Sequence, residues 1–304
     1  MHQMCAKCRK SFCCVFLSIL GPLFRNHMPG KSKQKAPAAA HQQDEGNKPV
    51  APAYKYSLTD IRVQSLILIL IGFLFYANTF SHEAAFDDRM AITDNEYVQQ
   101  GIAGIGGILT TDAFQSYLEH KNSSNQLAGG RYRPLSLITF AIEQQLMGTD
   151  HANENAAEKE QRVAEEMHMR HVVNVLLYIV SLIVLLTLFH TVIFPDEPVI
   201  ALLAALIFAI HPLHTEVVAN VKSRDEVLSV LFIALTILKA FAYKESGKLK
   251  DLVFGCLFFF CALLSKEYAV TLIVILPIAF YLFKNEPLPY GFKTFAPYLI
   301  SLGL

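Results

Sequence analysis

Asp87 and Asp88 stand side by side in the stretch FDDR, a few residues after a long apolar run ends. A carboxylate at such an edge is partly desolvated, which raises its pKa and suits it to take a proton from an acceptor hydroxyl. An adjacent pair also suits a divalent cation. The plainer reading is a solvated helix end. A second polar stretch, HPLHTEVVANVKSRDEVLS from His211 to Ser229, separates two further apolar runs. A turn between apolar helices needs few polar residues, yet this one carries His211, His214, Glu216, Lys222, Arg224 and Asp225. Ionisable groups where an apolar run resumes tend to be paired or functional. Arg224 has the planar fork that grips a phosphate through two hydrogen bonds. Lys266, in the SKE between two later runs, adds a point charge.

The histidine pairs are weaker signals. His211 and His214 are three residues apart, as are His168 and His171 in HMRH, but the His-Glu-x-x-His arrangement of zinc proteases is absent. Cys5 and Cys8 form half of a zinc motif with no matching second pair, and Cys256 and Cys261 read as small hydrophobes within one apolar helix. No metal site is expected from these residues. A divalent ion near Asp87 and Asp88 is left open, and no other cofactor is indicated.

The surrounding elements must hold these groups at a membrane. Hydrophobic residues make up 53% of the 304, charged residues only 17%, and the net charge is zero. That balance argues against nucleic acid as a partner. Apolar residues gather in blocks, at about 63–80, 171–194, 198–214, 226–243, 251–265 and 268–283, with a seventh beginning near Phe292. Helical runs of this length cross a bilayer. The expected class is an all-α polytopic membrane bundle of six to seven transmembrane helices over 55–304, read as the front portion of a longer protein. Residues 1–54 form a separate tail. Rich in Pro, Ala, Lys and Gln, it is expected to be disordered, or else to lie partly upstream of a start at Met28.

Short basic loops, KESGKLK at 244–250 and KNEPLPYGFK at 284–293, place the amino terminus on the cytoplasmic side. Alternating helices then bring the long loop of about 81–170, the His211–Ser229 stretch and the SKE turn to the external face. Within the long loop, GIAGIGG reads as a glycine-rich turn, and a short helix is expected to begin near Thr110, Thr111 and Asp112. The stretch RYRPLSLITFAIEQQLMG reads as a helix lying at the membrane interface, with Glu143 and Gln144 on its polar side. The run DHANENAAEKEQRVAEEMHMRH reads as a solvated helix or linker.

In order along the chain, FDDR, RYRPLSLITFAIE, HVVNVLLYIVSLIVLL, AALIFAIHPLHTEVVANVKSRDEVLSVLFIAL and ALLSKEYAVTLIVILPIAF resemble the membrane half of the transmembrane, tetratricopeptide-repeat-containing O-mannosyltransferases and their bacterial relatives. The resemblance covers about 63–285. It implies a GT-C-like fold and transfer of a sugar, mannose among the candidates, from a polyprenyl-phosphate donor to a protein or glycan acceptor. It implies a catalytic acid–base position at Asp87 or Asp88, Asp88 being preferred. It implies substrate-binding positions at Arg133, His214, Glu216, Arg224, Asp225 and Lys266. KEYAV, where many bacterial relatives carry KPMAV, points to a distinct subgroup. The expected location is a bacterial inner membrane with a periplasmic site, in preference to the endoplasmic reticulum. The competing readings are a transporter of lipid-linked sugars, which calls for charges inside spans and repeated halves, and a non-catalytic assembly protein.

Overall fold

A computed structural model describes residues 57–120, 131–149 and 154–302. The tail at 1–54, with Cys5 and Cys8, lies outside these residues. The described chain is an all-α membrane helix bundle, with no strand among the described residues.

Helix α1, Ile61–Tyr76, opens where the Asp60 carboxylate accepts a hydrogen bond from the Arg62 N–H at 2.8 Å, and it runs on as a 3₁₀ turn, Ala77–Ser81. A long segment from 82 to 155 follows and contains α2, Pro134–Met147. Helix α3, Ala156–Leu188, has 33 residues and starts at a reciprocal cap between Asn155 and Glu158. Helix α4, Pro198–Ile210, opens on proline and stops before Pro212, whose ring forces His211 into an extended conformation. The short α5, His214–Ala219, leads into α6, Arg224–Ser246. Gly247, at φ 63°, closes α6 and turns the chain into α7, Leu249–Ser265. Helix α8, Leu272–Lys284, ends at a left-handed Asn285, and α9, Leu288–Phe295, begins the seventh apolar run.

Among the described residues four stretches are long and apolar enough to cross a membrane: Ile61–Ser81, Ala156–Ile193, Val221–Ser246 and Glu267–Lys284. The other two expected spans fold as shorter helices, α4 with 13 residues and α7 with 17. At 1.5 Å per residue α4 covers only about 20 Å of a ~30 Å hydrocarbon core.

Contacts at the helix ends fix how the bundle alternates. At one end Gln64 bonds the Pro198 carbonyl, while Lys284 pairs with Glu245 and Lys244 with Glu286. At the other, Asp88 meets Lys222, Arg133 meets Glu267, and Lys266 meets Glu226. The clusters separated in sequence therefore share one end, as the loop pattern predicts.

The external segment differs from its sequence reading. It builds a core of its own from Ile92, Val98, Ile108, Phe114, Leu137 and Phe140, closed onto the bundle by Met167 of α3 and by Val221. Helix α2 is packed into this core: Phe140 and Gln144 are both fully buried, and Leu146 is exposed. The glycine-rich stretch is helical, Gly101–Gly104 and Ile105–Thr110, and Gly104 lets the Tyr97 carbonyl approach where a Cβ would collide. Thr110 and Thr111 bond back to Gly106 and Gly107 and finish that helix, while Asp112 alone turns the chain toward the next, Gln115–His120. The charged run before His171 is the helical alternative of its sequence reading, solvated over 156–165. It continues into α3, where Glu166, Met167 and Arg170 are buried.

Candidate active site

Asp87 and Asp88 end a single helical turn, Phe86–Asp88, followed directly by a π-turn, Arg89–Thr93. A π-turn widens the helix by one residue and often sits at functional positions. Here it turns the two neighbouring carboxylates to different surroundings. Asp88 is fully buried, its Oδ2 accepting from the Ala85 N–H at 2.9 Å and its Oδ1 from the Lys222 N–H at 2.7 Å. Burial pushes its pKa up, against the pull of those two donors. Asp87 is half-buried and, among the described residues, its carboxylate has no hydrogen bond or ion pair. So Asp88 ties the first external turn to the 211–229 stretch, and Asp87 is the carboxylate left open.

Beside this tie lies a narrow cleft, little larger than a water molecule, lined on its polar side by Arg131, Arg133, Lys222, Asp225 and Ser136 and otherwise by apolar side chains such as Phe114 and Phe140. Arg133 Nη1 holds Asp225 at 2.6 Å and Nη2 holds Glu267 at 3.1 Å, so one side chain of the external segment clasps the starts of α6 and of the last membrane hairpin. Its Nε is buried without a partner. The side chain of Lys222 is half-buried and, among the described residues, makes no ion pair, while Arg131 lies over the Phe114 ring at 5.3 Å. Cations exceed the one lining carboxylate, which Arg133 already holds. The cleft suits an anion.

Arg224 sits elsewhere. Its guanidinium is fully buried, with Nη1 on Glu143 at 2.6 Å and Thr139 at 3.1 Å, Nη2 on the Arg170 carbonyl at 3.2 Å, and Nε on Asn174 at 3.3 Å. The ring of Phe140 covers its face at 4.2 Å. Arg224 continues a balanced chain in which Glu154, Arg162, Glu166, Arg170 and Glu143 alternate acid and base. A guanidinium so occupied has no fork left for a phosphate, which corrects its expected contact with the donor. Lys266 is bound to Glu226, whose other oxygen accepts from the Tyr268 hydroxyl at 2.7 Å, and burial pushes the Lys266 ammonium pKa down.

The remaining candidates divide as well. Asp225 joins the cleft. The His214 ring lies 2.7 Å from the Phe208 carbonyl and 3.4 Å from the Tyr178 hydroxyl, closing the end of α4, and Glu216 is exposed. Among the described residues no group of three or more His, Cys, Asp or Glu side chains could hold a metal ion. Sequence reasoning missed Arg131 and Ser136 of the cleft, and Glu143, Glu166 and Arg170 of the buried chain. The i,i+4 spacing of Arg162, Glu166 and Arg170 was the available signal for the chain, since it aligns their charges on one helix face.

Residues 166–304 match the family described as dolichyl-phosphate-mannose-protein mannosyltransferase. Three relatives extend the likeness toward the amino terminus. Protein O-mannosyl-transferase TMTC4 of Mus musculus is 31% identical over 60% of this chain and 23% of its own length. Protein O-mannosyl-transferase TMTC1 of Homo sapiens is 29% identical over 54% of this chain and 16% of its own length, and TMTC2 of Homo sapiens is 26% identical over 70% and 23%. The chain is similar to this O-mannosyltransferase family over that part of its length. It spans less than a quarter of the length of these relatives. No solved structure matches it.

Proposed function

We propose that this chain carries the donor end of a membrane glycosyltransferase that moves a sugar from a polyprenyl-phosphate lipid to a hydroxyl of a protein or glycan. The names of the family and of its relatives support mannose as the sugar, dolichyl phosphate as the carrier and protein as the acceptor. The observation that carries the reading is the tie from Asp88 to the Lys222 N–H, which joins the turn bearing the open carboxylate Asp87 to a residue that lines the cleft.

In this reading Asp87 takes the proton of the acceptor hydroxyl as its oxygen bonds to the anomeric carbon of the sugar. The bond from that carbon to the phosphate oxygen breaks, and the leaving phosphate gains negative charge. Lys222, Arg133 and Arg131 face that charge, as electrostatic catalysis requires. The base moves from Asp88, preferred by sequence, to Asp87, because both oxygens of Asp88 are engaged by backbone N–H groups. Arg224 and Lys266 become positioning residues: one anchors α6 to α2 and α3, the other holds Glu226. Asp225 orients Arg133.

The site end is taken to be external, because the opposite end carries the basic loops with Lys244, Lys248, Lys250 and Lys284. That side is the periplasm in a bacterial inner membrane and the lumen in the endoplasmic reticulum. A tetratricopeptide-repeat region beyond this chain would supply acceptor recognition.

Asp87→Asn and Asp88→Asn in the full-length protein separate the two roles. Loss of a general base lowers rate by about a hundred- to ten-thousand-fold with ground-state binding largely kept. Asp87→Asn should therefore bind the donor and barely transfer. Near wild-type transfer by Asp87→Asn would sink the assignment.

A further inference from the structure

Arg133 stands before Pro134 at the start of α2, where the Ser136 hydroxyl donates to its carbonyl at 3.1 Å, so its backbone is held. Its guanidinium is shared between two carboxylates of unlike standing. Asp225 is 2% exposed, and it takes Arg133 Nη1 at 2.6 Å on one oxygen and the Glu226 N–H at 2.8 Å on the other. Glu267 opens the 3₁₀ turn Glu267–Thr271 ahead of α8, is 67% exposed, and takes Nη2 at 3.1 Å. The remaining nitrogen, Nε, is buried with no hydrogen-bond partner among the described residues.

The cleft that Arg133 lines admits little more than a water molecule. A phosphate with its ester groups is far larger, so a lining group must move before such an anion enters. The apolar walls, Phe114, Leu137 and Phe140, belong to the packed core of the long segment. The Lys222 N–H is held by Asp88, and Asp225 is held by two donors. The contact between Arg133 and Glu267 has its carboxylate in water, and an ion pair of that kind is easily broken. A swing of the Arg133 side chain about Asp225 releases Glu267 and leaves the buried pair intact.

We infer that Glu267 is an internal stand-in for the anion: its carboxylate occupies Arg133 and keeps the empty cleft shut, and an entering phosphate takes its place. Carboxylate and phosphate both offer two oxygens to the edge of a guanidinium. One anion replaces another, so Arg133 keeps a second counter-charge at the membrane margin throughout, where an unpaired charge is costly. The same carboxylate acts on release. A sugar-bearing phosphodiester carries one negative charge, whereas the phosphate monoester left after transfer carries nearly two and is drawn more strongly to the same cations. Glu267 returns to Arg133 and shifts that balance toward departure. It is a positioning residue that acts through Arg133 and touches no reacting atom. This inference rests on the glycosyltransferase reading for the identity of the anion.

The test measures equilibrium binding of radiolabelled, sugar-free polyprenyl phosphate to the full-length protein in phosphatidylcholine nanodiscs. Glu267→Gln should bind it about two- to fivefold more tightly, the scale of an exposed ion pair. Arg133→Lys keeps a charge on Asp225 but lacks the second nitrogen of the fork, so adding Glu267→Gln to it should bring no further gain. Glu83→Gln removes another exposed carboxylate of the same end and reports any general effect of charge, which decides the matter if Arg133→Lys folds poorly. Unchanged or weaker binding by Glu267→Gln overturns the inference, as does an equal gain in the Arg133→Lys background or in Glu83→Gln. Absence of binding by both the wild type and Glu267→Gln overturns it too. Transfer of mannose from polyprenyl-phosphate mannose is measured in parallel. A gain in binding without any transfer would leave the stand-in in place and discard the glycosyltransferase reading, and transfer without the gain would discard the stand-in alone.

Discussion

The two ends of the bundle carry similar kinds of charge and arrange them differently. At the end away from the site, Lys244 pairs with Glu286 and Lys284 with Glu245, each at 2.6 Å, in a reciprocal lace between two short loops. Lys239 and Asp251 pair at 3.0 Å just inside it. The two loop pairs are partly exposed, while Asp251 is buried and also accepts from the Ser246 hydroxyl. At the site end, charges are buried in chains and clasps, and among the described residues the side chains of Asp87, Lys222 and Glu216 are left unpaired. Paired charges at the bundle's edge tolerate water and contribute little. Buried charges held by several partners fix geometry, and the unpaired ones beside them are free to act. The difference explains why counting charged residues in a loop says little about which of them meets a substrate.

Removing Arg224 tests this contrast most severely. Arg224→Ala leaves the Glu143 carboxylate and the Asn174 amide oxygen buried without their Arg224 partner, a change expected to cost about 3–5 kcal/mol. Thermal unfolding in detergent should show a large drop, and Arg224→Lys should not restore it, because an ammonium cannot span Glu143, Asn174 and the Arg170 carbonyl. An unchanged melting temperature would mean that the chain of buried charges does not hold the site. Asp88→Asn comes next. It keeps one acceptor and turns the other into a donor facing an N–H, for about 1–3 kcal/mol. Hydrogen exchange at the Lys222 amide should quicken, and protection as strong as in the wild type would argue that the tie is not made.

Lys222→Gln sharpens the comparison from the unpaired side. Loss of one charged hydrogen bond to phosphate should weaken donor binding by roughly ten- to a hundredfold, with the melting temperature unmoved. Full donor affinity in Lys222→Gln would empty the cleft of its proposed ligand. The smallest effect belongs to the opposite end. Glu245→Gln should cost under about 1 kcal/mol and leave transfer intact. A strong loss of transfer there would show that the two ends are coupled and not separate.

The order of apolar runs made the class and the common end of the polar clusters legible, because helix length and alternation are local properties. The sequence also carried the motif order by which the family was expected. The folding of the external segment was not legible in the same way. Its helices are short and uneven in polarity, and α2 looks amphipathic in isolation. Only the packing of Phe140 and Leu137 on Met167 and Val221 shows that its polar residues turn inward with its apolar ones.

What the sequence determined by itself was the all-α bundle, the side on which the clusters gather, and the short set of residues within which a base and phosphate ligands should be sought. Hydrophobic length and spacing act along the chain, so one dimension suffices for them. Which member of each set is free, and which is engaged, was decided only by the tertiary structure. Asp87 and Asp88 are neighbours of one type, and so are Lys222 and Arg224 nearly. Their roles divide because Asp88 meets the Lys222 N–H as well as its neighbour Ala85, and Arg224 meets Glu143 and Asn174; Lys222, Glu143 and Asn174 are far away in sequence and folding alone brings them into reach.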